Sequence, residues 1–239
     1  MRNVVVVLAA LAVPASIHAQ TPGTPAIPPA RVETGLRPAH KALLVSGVIL
    51  ASMVLDNAVH EEMQEWRNPT SNSLAGVGNN FGTGKLVFPT LLAGWVAGTA
   101  LGSSGLQRAS GHALVAASVA GVTVTALKFA FGRQRPSSGF DADHYDLFQP
   151  GDASFPSGHT AIAFSVATSL SRDIKGRWDD VALYSAASLT GFARMNDNKH
   201  WLSDVVAGAA VGIVSGRWAT RGNRQVSAGP SGVVVNLRF

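Results

Sequence analysis

The chain has 239 residues, 46% of them hydrophobic and only 14% charged, with a net charge of +5 and no cysteine. That length suits one domain with a sizeable core, and the lack of cysteine excludes disulfides, thiolate nucleophiles and zinc–thiolate centres. The basic balance suits an anionic substrate or a membrane surface; the basic residues are scattered and no nucleic-acid-binding motif accompanies them, so no nucleic-acid partner is expected.

Met1-Arg2-Asn3, the apolar run Val4 to Val13 and the small-residue stretch ending at Ala19 read as an export signal over residues 1–19. Ile17 stands where a smaller residue is preferred for cleavage, so an uncleaved N-terminal anchor is the alternative. Residues 20–40 read as a Pro-rich linker, most extended over Thr21 to Ala30. Residues 41–221 hold six apolar segments, Ala42 to Leu55, Leu86 to Leu101, Ala113 to Leu127, Ala161 to Leu170, Val181 to Ala193 and Val205 to Ala219. None alternates, and Gly, Pro or charge bounds each, so the expected fold is an all-α, six-helix bundle. Its Ala, Gly and Ser content would let helices pack closely, as in membrane bundles.

A spanning helix needs about 20 mostly apolar residues, and several of these segments are shorter. If all six cross, Arg108, the Arg172/Lys175/Arg177 cluster and Arg217/Arg221/Arg224 share one side, and the positive-inside rule makes that side cytoplasmic. The same parity puts Arg31, Arg37 and Lys41 in the cytoplasm, whereas a cleaved signal leaves them outside. Either the first stretch is an anchor, or one segment does not cross, or the bundle is exported whole. The expected protein is membrane-embedded or membrane-bound with its site facing the periplasm, and a soluble periplasmic protein is the alternative.

The polar stretches offer little chemistry. Asp56 to Lys85 contains His60-Glu61-Glu62, but Gln64 stands where a zinc protease needs its second histidine, so a structural or lid role is expected. Asp141, Asp143, Asp146 and Asp152 do not follow calcium-loop spacing and read as solvated carboxylates. His40, His112 and His144 have no partner pattern. Residues 222–239 read as a tail; Gly232 to Phe239 alternates like the last strand of an outer-membrane barrel, without companion strands.

Chemistry concentrates around Phe155-Pro-Ser-Gly-His-Thr160. Pro156 and Ser157 are helix-starting residue types, so the free N–H groups of Ser157, Gly158 and His159 would form an anion seat. The Ser157 hydroxyl adds a donor and His159 a proton carrier. Upstream, Lys128 and Arg135 are seven residues apart, on one face of a helix that Pro136 ends, with Arg133 between them. Downstream, Arg194 precedes His200 and Asp204 at i and i+4, where the carboxylate can fix the imidazole tautomer and leave its other nitrogen free to attack.

Lys128-x6-Arg135-Pro136, Pro156-Ser157-Gly158-His159 and Arg194-x5-His200-x3-Asp204 together resemble the three-part signature of the type 2 phosphatidic acid phosphatase and vanadium haloperoxidase superfamily, over roughly Gly111 to Arg217. Ala193 stands where members often carry Ser, which removes a hydrogen bond next to Arg194. The resemblance implies hydrolysis of a phosphomonoester or diphosphate through a phospho-histidine. His200 would be the nucleophile, Asp204 its orienting carboxylate and His159 the acid and base. Lys128, Arg135, Arg194, Ser157 and Gly158 would bind the phosphate. No metal or cofactor is implied. The implied substrate is a phosphorylated membrane lipid such as phosphatidate, a phosphatidylglycerol phosphate or a polyprenyl diphosphate. A nonspecific periplasmic acid phosphatase acting on small esters is the first alternative, and a vanadium-dependent haloperoxidase the second.

Overall fold

A computed structural model describes residues 37–149, 151–174, 176–221, 226–229 and 232–235. The export signal, most of the linker and much of the tail lie outside these residues. Among the described residues eight α-helices follow one another: α1 (Pro38–Val54), α2 (Asp56–Glu65), α3 (Pro69–Gly82), α4 (Gly84–Ala100), α5 (Ser104–Phe131), α6 (Gly158–Ile174), α7 (Arg177–Asn196) and α8 (Leu202–Ala219). All six expected segments are helices, and the fold is the all-α bundle that they imply. The count differs because Asp56 to Lys85 is not a loop but α2, α3 and the start of α4. At the near end α1 begins at Pro38, inside the stretch read as linker. Within the tail, β1 (Val226–Gly229) and β2 (Gly232–Val235) form an antiparallel hairpin pairing Val226 with Val235.

Small residues hold the bundle together. On α8, Gly208, Gly212 and Gly216 recur every four residues along one face, and a Cβ at each would lie 2.5, 2.5 and 2.7 Å from the carbonyl oxygens of Ser157, Ala161 and Ser165 on or just before α6. Any side chain would push the two helices apart, so glycine sets their separation. The buried residues are largely Ala, Ser and Thr, while Leu43, Leu50 and Val54 on α1, Leu101, Val122 and Val214 are exposed. Large apolar groups facing outward around a core of small ones is the reverse of a water-soluble domain. Among the described residues α5 alone is long and apolar enough to cross a membrane, with α1 and α2, bent by 57°, a second span if they act as one.

The connections sort into two ends. Arg108 pairs with Asp173 at 3.7 Å, and Arg172 donates to the Thr220 hydroxyl at 2.7 Å, so these basic residues gather where α5 starts and α6 and α8 end. The C-terminus of α5 and the N-termini of α6 and α8 meet at the opposite end, joined by α2 and α3. All three sequence motifs lie there.

Candidate active site

Lys128 lies in the last turn of α5, which ends at Gly132 in a left-handed conformation (φ 57°) rather than at Pro136. A Cβ on Gly132 would run into the Asp146 carbonyl, so glycine is required both for the backbone turn and for the close approach. Arg135 is therefore not on the helix face of Lys128. It stands on an extended residue beyond the turn (φ −82°, ψ 154°), and the chain reversal returns it to the site. Its Nε and Nη2 donate to the Asp152 carbonyl at 2.9 Å and carboxylate at 2.6 Å, and its Nη1 donates to the Lys199 carbonyl at 2.9 Å. Asp152 is thus a partner of the site, not a purely solvated carboxylate. Burial pulls its carboxyl up, but the hydrogen bond and charge of Arg135, helped by Lys128 and His200, outweigh this and hold it below the usual range. Lys128 donates to the carbonyls of Ala153 and Ser154.

Ser157 precedes α6. Its amide donates to the Asp204 carbonyl at 2.9 Å, so it is withdrawn from the expected anion seat, leaving the amides of Gly158 and His159. Its hydroxyl oxygen accepts from Thr160 Oγ1 at 2.9 Å, which leaves the hydroxyl proton for another acceptor. His159 is in the first turn of α6, within electrostatic reach of Arg194, Arg135 and Lys128.

His200 is buried between α7 and α8. Its Nδ1 lies 3.3 Å from Asp204 Oδ2, and its Nε2 lies 3.4 Å from Arg135 Nη1. The imidazole is held from behind by a carboxylate while its other nitrogen faces the cations. Burial lowers its pKa to about 4 even though Asp204 opposes the shift, which favours the neutral ring. Asp204 also caps α8, accepting from the Trp201 amide at 2.9 Å.

Arg194 closes the cluster from α7. Its Nη1 donates to Asn79 Oδ1 at 2.8 Å and lies 3.8 Å from Asp197, while its buried Nε has no hydrogen-bond partner. A buried guanidinium N–H without an acceptor is costly, and an oxyanion at this place would satisfy it. Asn79 also donates to Asp197 at 2.8 Å, so α3 supplies the support that Ala193 does not. A Cβ on Gly82 would come within 2.5 Å of the His159 carbonyl, so α3 also abuts the start of α6.

Arg133, read from sequence only as a charge near a helix end, is 1% exposed and bonds Asp204 and Asp56 at once. No spacing rule connects Asp56 to it, since the two are 77 residues apart. His60 makes an edge contact with the Trp201 ring, and His112, read as partnerless, pairs with Asp173 at 2.9 Å at the other end of the bundle. His144 stacks on Phe140. Among the described residues no group of three or more His, Cys, Asp or Glu is placed to hold a metal ion.

An apolar cavity of about 420 Å³ lies between α1, α5 and α8, lined by Val45 and Ile49 of α1, Val119 and Leu127 of α5, Val211 and Trp218 of α8, and Phe155 and Pro156 just before Ser157.

The family model described as the PAP2 superfamily matches residues 109–227, a stretch that holds every one of the three motifs now seen to converge. The chain belongs to the PAP2 superfamily. A lipid A 1-phosphatase of Porphyromonas gingivalis is 46% identical over 98 residues, which are 40% of this chain and 20% of that protein. The match therefore spans about one fifth of the relative. The crystal structure of LpxE from Aquifex aeolicus is similar with a TM-score of 0.56 and 26% identity, over 69% of this chain and 94% of that one. A transmembrane PAP2-type phosphatidylglycerolphosphate phosphatase from Bacillus subtilis shares the fold, with a TM-score of 0.58 and 19% identity over 75% and 94% of the two chains.

Proposed function

We propose that this chain is a lipid phosphate phosphatase that works through a phospho-histidine at His200, in a membrane and with its site towards the periplasm. The observation that carries the reading is the buried His200–Asp204 pair, whose outward nitrogen meets Arg135 in a cluster that also holds Lys128, His159 and the unsatisfied Nε of Arg194. Lys128, Arg135 and Arg194, with the Ser157 hydroxyl and the Gly158 amide, hold the non-bridging oxygens and stabilise the charge that builds on them. To admit the phosphate, Arg135 exchanges its bond to the Asp152 carboxylate for one to substrate. His200 Nε2 attacks phosphorus, the bond to the lipid oxygen breaks, and His159, which burial and the nearby cations hold below its usual pKa until the charge of the bound phosphate draws a proton to it, gives that oxygen the proton. Asp204 stabilises the imidazolium so formed. His159 then takes a proton from water, the water oxygen attacks phosphorus, the N–P bond breaks and inorganic phosphate leaves.

The apolar cavity beside Phe155 and Pro156 suits an acyl or prenyl chain, and the outward-facing apolar residues suit a bilayer. The names of the relatives, lipid A 1-phosphatase and phosphatidylglycerolphosphate phosphatase, point to phosphorylated lipids rather than small esters. Phosphate release from lipid A 1-phosphate, phosphatidate, a polyprenyl diphosphate and an aryl phosphate, each in detergent micelles, tests the reading. A lipid should be preferred, and His200→Ala should abolish turnover while leaving vanadate binding partly intact. Equal or better turnover of the aryl phosphate would favour the soluble-ester alternative.

A further inference from the structure

We infer that Asp56 and Arg133 form a buried positioning pair that aims Asp204 at His200 and leaves the charge of Asp204 free for the imidazolium. This rests on the reading of His200 as nucleophile and concerns residues outside the three motifs' named positions. Arg133 spends its donors on four acceptors: Nε on the Ala142 carbonyl at 2.8 Å, Nη1 on Ser203 Oγ at 2.6 Å and Asp204 Oδ1 at 2.9 Å, and Nη2 on Asp56 Oδ2 at 2.6 Å. The rings of Tyr145 and Trp201 lie 5.5 Å from the guanidinium. Asp56, the first residue of α2 and fully buried, accepts from the Ser203 amide at 2.8 Å and the Ser203 hydroxyl at 2.6 Å besides Arg133. Both oxygens of Asp204 are thereby fixed, Oδ1 by Arg133 and Oδ2 by the Trp201 amide and His200.

Charge decides why two carboxylates are needed. If Arg133 faced Asp204 alone, one positive charge would cancel one negative, and the carboxylate would offer little to a cation on His200. With Asp56 sharing Arg133, the buried group carries two negative charges against one positive, so a net negative charge remains beside the imidazole. Phosphoryl transfer to Nε2 makes the ring cationic and brings the whole group to neutrality. Breaking such a buried network from one side leaves an uncompensated charge, whereas an isosteric change removes charge with little change of shape. His200 is faced by Asp204 from α8, Lys128 from α5, and Arg135 and Asp152 from the connecting segment, and of these only Asp204 is linked to Asp56, through Arg133.

The test uses the full chain in detergent, with phosphate release from the preferred lipid phosphate, vanadate as the binding probe and thermal unfolding as the control for folding. Asp56→Asn should lower kcat about 30-fold or more with KM and vanadate affinity within about three-fold, and should move the acid limb of kcat/KM to lower pH. Arg133→Lys should restore part of the activity that Arg133→Met loses. Ser203→Ala, a milder change that leaves all charges in place, should lower kcat by about three- to ten-fold without moving the acid limb. A folded Asp56→Asn protein with unchanged kcat and pH profile would overturn the pair's role, as would equal losses in Arg133→Lys and Arg133→Met. If Asp56→Asn does not fold, a Ser203→Ala protein with wild-type kcat overturns it. Inactive wild-type protein would instead defeat the phosphatase reading itself.

Discussion

Replacing Asn79 with alanine removes the side chain that holds Arg194 from α3. Two bonds are lost, the one accepted from Arg194 at 2.8 Å and the one donated to Asp197 at 2.8 Å, and both involve charged partners. Hydrogen bonds to charged groups contribute about 1.5–3 kcal/mol each, and Asn79 is only partly buried, so about 1.5 kcal/mol is the appropriate value for each. If only the bond to Arg194 bears on the transition state, kcat/KM should fall about ten-fold; if both do, about a hundred-fold. Arg194 keeps Asp197 at 3.8 Å, which by itself permits the guanidinium to swing away from the phosphate position. The assay is steady-state phosphate release from the preferred lipid phosphate, with the vanadate inhibition constant measured alongside. Asn79→Ala should weaken vanadate by a similar factor, since the same arginine would hold it. A variant within three-fold of wild type in both would refute the idea that α3 positions Arg194.

Four further outcomes follow from the geometry. Since His200 is held neutral down to about pH 4, the acid limb that it contributes to kcat/KM should lie near pH 4 and not near 6.5. Unfolded chain takes up that proton below about pH 6.5 while the folded protein does not, so thermal stability should fall as pH drops from 6.5 to 4, by about 3 kcal/mol in all, and less so in His200→Asn. Gly212→Ala places a methyl 2.5 Å from the Ala161 carbonyl and 2.7 Å from Phe164 Cβ, and should cost about 1–3 kcal/mol of stability in detergent unfolding, with loss of activity as α8 and α6 part. Val211→Trp, filling the apolar cavity, should raise KM for a lipid phosphate by ten-fold or more and leave turnover of an aryl phosphate unchanged, as measured by phosphate release.

The main helices and the residues of the three motifs were legible because both depend on local signals. Apolar runs bounded by Gly, Pro or charge marked α1 and α4 to α8, and fixed spacings marked Lys128, Arg135, His159, Arg194, His200 and Asp204. Two helices were hidden because their composition is polar. α2 reads Asp-Asn-Ala-Val-His-Glu-Glu-Met-Gln-Glu, and α3 is rich in Gly, Asn and Ser. A start signal for α3 was nevertheless present. Asn68 before Pro69, with Ser71 three residues on, is a capping pattern, and the Asn68 side chain accepts from the amides of Thr70 and Ser71 at 2.9 and 3.0 Å. The supports of the site were not legible. Asn79 lies 115 residues from Arg194, Asp56 lies 77 from Arg133, and only the close packing of small residues brings them together. Sequence spacing also mistook the route to Arg135, which is reached through the left-handed Gly132 and not along the helix.

The proposed mechanism requires a covalent bond from phosphorus to one nitrogen. Rapid quenching of wild-type protein during turnover of a phosphorus-labelled lipid phosphate, followed by peptide mapping under alkaline conditions that preserve phosphoramidates, measures it directly. Label on the peptide containing His200, absent from His200→Ala, is the predicted result. Sustained turnover with no label, or label on a residue other than His200, would contradict it.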